Sequence, residues 1–275
     1  MKPRPFDYVR PDTAAEAIAL LAEHGDEARI LAGGQSLIPM LNLRLIDAGV
    51  LIDIARIAEL DAIAERDGKI EIGAAVTQNT LLAWPKLAEK LPLLAAALPF
   101  VGHFQTRNKG TVCGSVAHAD PSSEIPLALA VCGGEVVLRS RRGERVLAAR
   151  DFQKDMLTTA REPDELIAAV RFPATTGRGV AFQEVARRHG DFAMVAVAAM
   201  MEGEGAVHVG VGGMAGRPMV RKIAASSDAA IAAAVQSWAE ALEGFDDLHA
   251  TAGLRRDIFR KLAPKVAVEA LRCAA

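Results

Sequence analysis

A pair of adjacent glycines, Gly33 and Gly34, interrupts an apolar run near the start of the chain. Residues 29–31 are predicted to form a short strand, and Ser36 leads into a second apolar segment. Glycine allows close approaches that a Cβ atom would block, so a turn here can direct several N–H groups at one point. Such a turn suits a phosphate or another anion. A lone Gly-Gly pair is nevertheless more often an ordinary turn after a strand.

A second segment of the same character, Gly110-Thr111-Val112-Cys113-Gly114-Ser115, occurs in another part of the chain. It again combines small residues with hydroxyl groups, and the polar and basic stretch 103–109 precedes it. Two loops of this kind can hold one diphosphate from opposite sides through backbone amides and hydroxyls. The two glycine loops together therefore predict a site for a diphosphate.

The composition of the chain argues against several classes of protein. Its 275 residues are enough for two domains, and 51% hydrophobic with 24% charged residues is typical of a globular protein. A formal net charge of −2 provides no basic surface for nucleic acid. The N-terminal residues lack the apolar core of a signal peptide, and charges interrupt every apolar run before it reaches the length of a membrane span.

Three widely separated cysteines, Cys113, Cys132 and Cys273, form no C-x-x-C pair. This spacing argues against a disulfide framework, structural zinc or an iron–sulfur cluster held by this chain, and we expect a cytoplasmic protein. His118 and Asp120 are too few for a zinc site, which takes three or four protein ligands. Cys113 would be reactive if inward-pointing amides lowered its pKa, but we expect a small buried side chain there.

The first lobe is expected to span residues 1–56 and to alternate strands with helices. Thr13 and Glu16 have the spacing of a capping box, which predicts a helix that ends near Gly25. Residues 50–54 are predicted to form a buried strand, because all but one of them are apolar.

The second lobe is expected to span residues 57–173. Strand-like alternation begins at residues 69–77, and apolar helices are predicted at 87–98 and 125–131. A hairpin is predicted through Gly143, since strand-like segments flank it. This part of the chain also contains the second glycine loop.

The composition changes at residues 174–179, and we expect a smaller α+β domain over residues 174–275. Three strands are predicted in it, at residues 180–186, 193–201 and 206–211. Residues 202–205 are predicted to form a hairpin turn between the second and third strands. Two helices follow, at residues 229–242 and from about 254 to 272, the second of them interrupted at Pro264.

The two glycine loops and their surroundings resemble the FAD-binding medium subunits of the molybdenum hydroxylases. That family includes the carbon monoxide dehydrogenase medium subunit and the flavin domain of xanthine dehydrogenase. The resemblance rests on the AGGQSL sequence of the first loop, on RNKGTVCGS followed by HADP at the second, and on residues 181–193. It covers nearly the whole chain. It implies a two-lobed FAD-binding domain of the vanillyl-alcohol-oxidase/PCMH type at residues 1–173, followed by a carbon monoxide dehydrogenase flavoprotein-like domain at 174–275.

The resemblance implies that the two glycine loops bind opposite sides of the FAD diphosphate. Glu124 matches an acidic residue that contacts the sugar-like chain of the flavin, and Asp120 in the same turn is a second candidate. Ile167 matches a position packed near the cofactor, and Gln183 matches a lysine of the xanthine dehydrogenases. The complete predicted set is Ile30, Leu31, Ala32, Gly33, Gly34, Gln35, Ser36, Leu37, Val101, Thr111, Val112, Cys113, Gly114, Ser115, Asp120, Glu124, Ile167 and Gln183. No catalytic or metal-binding residue is predicted.

Three departures from the family pattern matter for function. Cys113 occupies a position that is commonly glycine, so its Cβ must fit against the phosphate or the loop must shift. Gln183 lacks the positive charge of the lysine that it replaces. Gln35 stands where the carbon monoxide enzymes have histidine, which favours another substrate, such as an aromatic heterocycle, although carbon monoxide, a purine and an aldehyde remain open. Because aromatic residues are few, stacking on the flavin falls to apolar residues or to phenylalanines such as Phe100, Phe104 and Phe192.

The resemblance implies an oxidoreductase subunit that passes electrons from [2Fe-2S] clusters on a small partner chain to an acceptor such as NAD, oxygen or a quinone. A large partner chain would carry the molybdopterin cofactor, in a dimer of heterotrimers. Two alternatives remain open. One is a stand-alone FAD-dependent reductase of the same fold, which needs its own substrate pocket and proton donor. The other is a flavin-free assembly scaffold.

Overall fold

The structure is a computed structural model that describes residues 1–203, 205–224 and 227–273. The helices of this part of the chain are α1 (Ala14–His24), α2 (Leu37–Asn42), α3 (Gln78–Leu82), α4 (Leu87–Lys90), α5 (Pro92–Ala97), α6 (Phe104–Arg107), α7 (Val112–His118), α8 (Glu124–Val131), α9 (Ala149–Phe152), α10 (Asp228–Ala241) and α11 (Ala252–Arg272). Short 3-10 helices lie at Gly25–Glu27, Ala58–Leu60 and Leu98–Phe100. The strands are β1 (Asp7–Val9), β2 (Ala28–Leu31), β3 (Val50–Asp53), β4 (Ile63–Arg66), β5 (Lys69–Gly73), β6 (Glu135–Ser140), β7 (Gly143–Ala148), β8 (Gln153–Asp155), β9 (Thr158–Thr159), β10 (Leu166–Pro173), β11 (Val180–Val185), β12 (Val195–Glu202), β13 (Ala206–Gly212) and β14 (Met219–Ala224).

The first lobe is a three-stranded parallel sheet in the order β1-β3-β2, with α1 packed against it. The Thr13 hydroxyl accepts a hydrogen bond from the Glu16 amide at 3.2 Å, and the helix ends at Gly25, whose φ is 51°. Both ends of the predicted helix are therefore confirmed. The alternation of strand and helix expected for this lobe is also observed.

The second lobe is a five-stranded antiparallel sheet in the order β4-β5-β10-β6-β7. Its central strand, β10, is buried along most of its length and shifts register against β6 between Ile167 and Ala169. The predicted hairpin through Gly143 joins β6 to β7. Helix α7 packs against β5 and β10 of this sheet, and the second glycine loop leads into its first turn.

The C-terminal part contains a four-stranded antiparallel sheet, β11-β12-β13-β14, instead of the three strands that the sequence predicts. The missed strand is β14, a half-exposed edge strand whose Arg221 and Lys222 are exposed. Its pattern lacks the apolar alternation of a half-buried strand. The strand forms because Ile223 pairs with Val207 and Met219 with Val211 on β13. Such pairing with another strand does not appear in the local sequence pattern.

Helix α11 continues through Pro264 without a break, so the predicted interruption is wrong. Proline removes one intrahelical hydrogen bond, which normally favours a kink or an end. Here Ala263, Val266 and Ala267, on both sides of the proline, are fully buried in the core beneath the C-terminal sheet. Tertiary packing of this face outweighs the lost hydrogen bond.

Strand β12 is buried on both faces, and this determines how the two parts of the chain join. Val195, Val197 and Ala199 pack into the core that contains α10 and α11. Ala196 and Ala198, on the opposite face, belong to the core shared with α5 and α8 of the second lobe. The C-terminal sheet is thus covered by helices on both sides.

In the described ranges, no helix combines the length and the apolar character that crossing a bilayer requires. The predicted turn at residues 202–205 includes Glu204, which lies outside the described residues, and β12 and β13 pair on either side of it. Ala225, Ser226, Ala274 and Ala275 of the predicted C-terminal domain also lie outside them. The division of the chain at residue 173 stays a prediction.

Candidate cofactor site

The first glycine loop, residues 32–37, leaves the end of β2 and turns directly into α2. Gly34 has φ 68°, a conformation that side chains rarely adopt, and this explains the second glycine of the pair. The Gln35 side-chain amide donates a hydrogen bond to the Gly33 carbonyl at 3.0 Å. This hydrogen bond holds the Gln35 side chain against the loop.

The second glycine loop, residues 110–115, runs into the first turn of α7. Thr111 caps this helix, because its hydroxyl accepts a hydrogen bond from the Gly114 amide at 2.9 Å. The Gly110 carbonyl accepts the Gln78 amide at 2.8 Å, and the Val112 amide donates to Val76 at 3.2 Å. These bonds fix the loop against the segment that follows β5.

The two loops meet at Gly33. A Cβ atom built on this residue would clash with the carbonyl oxygen of Lys109 and would lie 2.7 Å from the Gly110 Cα. Only glycine allows this approach, because the atoms in the way belong to the backbone and cannot rotate aside. The first glycine of the pair is therefore required by a contact between lobes, and the loops predicted to act together are indeed neighbours.

Backbone amides in the first glycine loop remain available to a ligand. Within the described part of the chain, the N–H groups of Gly33, Gly34, Gln35 and Ser36 donate to no protein acceptor. Unpaired amides converging in a turn form a site for an anion. A tight cradle of glycine backbone with free donors fits the diphosphate of FAD.

Between the loops lies a cleft of about 520 Å³, a volume typical of small-molecule sites. Fourteen of the predicted cofactor-binding residues line it: Ile30, Ala32, Gly33, Gly34, Gln35, Ser36, Leu37, Val101, Thr111, Cys113, Gly114, Ser115, Glu124 and Ile167. Residues from both lobes and from widely separated positions thus form one surface.

The C-terminal part completes the wall of the cleft with Gly190, Asp191 and Phe192. Gly190 has φ 86°, and a Cβ atom on it would lie 2.6 Å from Cε1 of His103. The Phe192 side chain is exposed, so its ring remains free to cover a ligand. Of the three phenylalanines suggested for stacking, Phe192 is the one that lines the cleft.

Glu124 is a buried acid of the cleft, with 3% of its surface exposed. Burial raises its pKa to about 7, and the charge of Asp120 adds to the rise, while a hydrogen bond from its own backbone amide opposes it. At neutral pH this carboxyl group is therefore close to its titration midpoint. It can accept or donate a hydrogen bond to a hydroxyl-bearing ligand.

Arg161 lines the cleft together with Arg29 and was missed by the sequence analysis. Burial lowers the pKa of Arg161, and the nearby Arg29 lowers it further. Its guanidinium donates to the Glu165 carbonyl at 2.8 Å, while the Glu165 carboxylate, 2% exposed, is bound by Arg145. A dense run of charges immediately before a buried strand is the signal in the sequence that would have indicated this cluster.

Four predicted cofactor-binding residues do not line the cleft: Leu31, Val112, Asp120 and Gln183. Val112 is fully buried in the core, because it is the first residue of α7 and its side chain points away from the cap. Asp120 instead accepts the Ser122 amide at 2.8 Å. The Leu31 carbonyl accepts a hydrogen bond from the Ile54 amide, and the Leu31 side chain packs against Gly34.

Gln183 is not among the residues that line the cleft, and its role beside the flavin stays a prediction. It donates a hydrogen bond to Glu269 of α11 at 2.7 Å. Alternation along β11 places Phe182 and Glu184 on the opposite face, towards the FAD-binding part. Glu184, the next residue along the strand, is therefore on the side of the sheet where the charge of Glu124 acts on it.

Cys113 is 3% exposed, and its thiol donates to the Ile72 carbonyl at 3.5 Å. Burial raises its pKa to about 12, which is opposite to the shift of a reactive cysteine. The side chain fills the space under α7, so its Cβ is accommodated without a change in the contact between the glycine loops. His118 and Asp120 gain no further ligand, and no group of three metal-binding side chains occurs among the described residues.

Comparison with known proteins gives a consistent result. The family described as the FAD binding domain in molybdopterin dehydrogenase matches residues 4–175. The chain is 39% identical to the caffeine dehydrogenase subunit beta of Pseudomonas sp. (strain CBB1), over 74% of this chain and 70% of that protein. It is 32% identical to the nicotine 6-hydroxylase medium subunit of Paenarthrobacter nicotinovorans, over 98% of this chain and 99% of that protein.

A solved structure is similar over the full length. The carbon monoxide dehydrogenase from Hydrogenophaga pseudoflava contains a chain that superimposes with a TM-score of 0.92 and 30% identity, covering 100% of both chains. The similarity includes the C-terminal part that the family match does not reach. The fold predicted from the resemblance is therefore confirmed.

Proposed function

Because the chain belongs to the FAD-binding medium subunits of the molybdenum hydroxylases, we propose that it holds one FAD between its two glycine loops. In this proposal, the chain passes electrons from [2Fe-2S] clusters of a small partner chain to an external acceptor. FAD supplies the redox chemistry when bound, and the protein supplies binding and orientation. The observation that carries the proposal is the contact of Gly33 with residues 109–110, which joins the free amides of the first glycine loop and the second glycine loop into one cradle.

The cradle and the cleft assign separate tasks to the residues of this chain. The amides of Gly33 to Ser36 donate to the diphosphate, and the Ser115 hydroxyl lies on the opposite side. Glu124 binds hydroxyls of the sugar-like chain, and Phe192 covers one end of the cleft. These groups bind the cofactor and exclude water from it, and none of them is required as a catalytic acid or base.

The partners are a large chain that carries the molybdopterin cofactor and oxidises the substrate, together with the small iron–sulfur chain. We place the assembly in the cytoplasm, as the cysteine usage predicts, and expect a dimer of heterotrimers. The acceptor is NAD, oxygen or a quinone. Support for a multi-subunit assembly comes from the relatives, which are named as subunits or medium chains of dehydrogenases.

An N-heterocycle is the substrate class that we propose for the complex. Two of the relatives are named for caffeine and nicotine, both of which contain nitrogen heterocycles. In addition, Gln35 replaces the histidine of the carbon monoxide enzymes. The substrate itself would bind to the large partner chain.

Isolation of the native complex with flavin and metal analysis tests the proposal. We expect about one FAD for each copy of this chain, together with iron and molybdenum in the copurifying chains. The double variant Gly33→Val and Gly114→Val should lose the flavin. Flavin without iron or molybdenum chains would instead favour the stand-alone reductase, and a colourless complex would favour the scaffold. A screen of N-heterocycles, purines, aldehydes and carbon monoxide with an artificial electron acceptor then tests the substrate class.

A further inference from the structure

Glu184 lies on the face of β11 that packs against the part of the chain containing the cofactor cleft. Its neighbour on the same face, Phe182, packs in the core of the FAD-binding part, with its ring centroid 5.3 Å from that of Phe100. Gln183, on the other face, reaches Glu269 of α11. One carboxylate oxygen of Glu184, Oε2, is buried and has no hydrogen-bond partner among the described residues.

Glu184 pairs with Ala196 of β12, and β12 packs against α8, whose first residue is Glu124 in the wall of the cleft. Burial raises the pKa of Glu184 to about 8, and the charge of Glu124 raises it further. Burial likewise raises the pKa of Glu124 to about 7. Two carboxyl groups in one desolvated site cannot both ionise near neutral pH.

The surroundings of the two carboxyl groups offer no compensating cation. In the part of the chain that the structure describes, neither Glu124 nor Glu184 is influenced by a lysine or an arginine. Helix α5, which packs on β11, contains no titratable side chain, and the one acid of β12, Glu202, is paired with Lys222 at the far end. Asp120 adds a negative charge near Glu124. Burial lowers the pKa of His118, which interacts with Asp120, so burial disfavours the charged form of this histidine.

We propose that Glu184 is a positioning residue for the flavin site: it remains neutral so that the pair Glu124–Glu184 holds one proton, and Glu124 can then keep its carboxylate in the cleft wall. This inference rests on the proposed function, since it assigns Glu124 to the sugar-like chain of FAD. Ionisation of Glu184 places a second negative charge behind Glu124. That charge repels Glu124 and weakens the junction between the C-terminal sheet and the cleft, so FAD binding becomes weaker in alkaline solution.

Thermal unfolding of the full chain without flavin tests whether Glu184 stays neutral. The folded chain binds more protons than the unfolded chain between about pH 4.5 and 8, so this group makes stability fall as the pH rises through that window. Glu184→Gln keeps the shape and cannot ionise. We expect its Tm to match the wild type within about 1 °C at pH 5 and to exceed it by about 3 °C or more at pH 9. A Tm of the variant at or below that of the wild type at pH 9 overturns the proposal.

Titration of the flavin-free chain with FAD, followed by flavin fluorescence between pH 7 and 9.5, tests the positioning role. For the wild type we expect Kd to rise about fivefold or more, and for Glu184→Gln to change by less than about twofold. Glu202→Gln, an exposed acid on the same sheet, is the control and should follow the wild-type profile. If the Kd of Glu184→Gln for FAD depends on pH in the same way as that of the wild type, the inference is overturned. If wild-type protein binds no FAD at any pH, the proposed function fails, whereas the unfolding experiment still decides whether Glu184 stays neutral.

Discussion

At the scale of the residue, Gly33 and Gly34 serve two different physical needs. Gly34 has a positive φ, so it allows the turn itself. Gly33 needs no unusual φ, and instead lets the backbone of residues 109–110 come within contact distance. Two adjacent glycines thus satisfy a local and a long-range requirement. Cys113 shows the opposite situation, since a side chain replaces glycine there and is accommodated in the core.

Gly33→Ala is expected to weaken FAD binding by about tenfold or more, since the new Cβ separates the two glycine loops and the diphosphate then spans a wider gap. The measurement is the Kd of the flavin-free chain for FAD. Gly253→Ala, in the first turn of α11, has only ordinary contact with Thr251 and is the matched control. Equal affinity of Gly33→Ala and the wild type would contradict the close contact between the loops.

Cys113 and Cys132 are expected to resist alkylation in the native chain at pH 8. Burial raises the pKa of both thiols to about 12, so the reactive thiolate is scarce and inaccessible. Cys273 is exposed and should react under the same conditions. Mass spectrometry after iodoacetamide treatment locates the label, and modification of Cys113 before unfolding would disagree with its position in the core.

At the scale of the element, the two faces of each strand in the C-terminal sheet determine which residues serve the site. The alternation of side chains along β11 places Gln183 against α11 and Glu184 on the opposite face, which packs on the FAD-binding part. The same sheet supports α11, whose buried face keeps the helix intact through Pro264. One buried cation also holds this unit together. Arg255 of α11, 1% exposed, donates to the carbonyls of Met194 and Gly213 and pairs with Asp247.

Arg255→Met is expected to lower the free energy of unfolding by about 3–5 kcal/mol, because two carbonyl groups and Asp247 lose their partner in a buried region. Arg260→Met, which removes a more exposed pair with Asp257 on the same helix, should cost about 1 kcal/mol or less. Denaturant unfolding of both variants measures the difference. Similar losses for the two would rule out a special role for Arg255.

At the scale of the whole molecule, the cofactor cleft depends on how the C-terminal sheet packs on α8. Residues 190–192 complete the cleft wall, and they lie in the connection between β11 and β12 of that sheet. The packing is closest at Gly210 on β13, where an added Cβ would clash with Val131 and lie 2.9 Å from Leu127 Cδ1. The site is therefore shared by the two lobes and the C-terminal part.

Gly210→Val is expected to lower the Tm by several degrees and to weaken FAD binding, although residue 210 does not line the cleft. Overpacking forces the sheet away from α8 at a cost of about 1–3 kcal/mol and moves residues 190–192 with it. Gly205→Ala, where a Cβ meets no atom within 4 Å, is the control. Normal FAD affinity in a destabilised Gly210→Val would show that the cleft does not depend on this contact.

The sequence alone determined the features that depend on neighbours along the chain. The cap at Thr13, the end of α1 at Gly25 and the two glycine loops follow from local hydrogen bonds and backbone freedom, and the motif order was sufficient to identify the family. Tertiary structure decided what depends on distant partners. Burial raised the pKa of Glu124, strand alternation and sheet packing brought Glu184 close enough to interact with it, and pairing with β13 made β14 a strand. Burial and strand pairing exist only after distant segments meet, because both depend on atoms far away in the sequence.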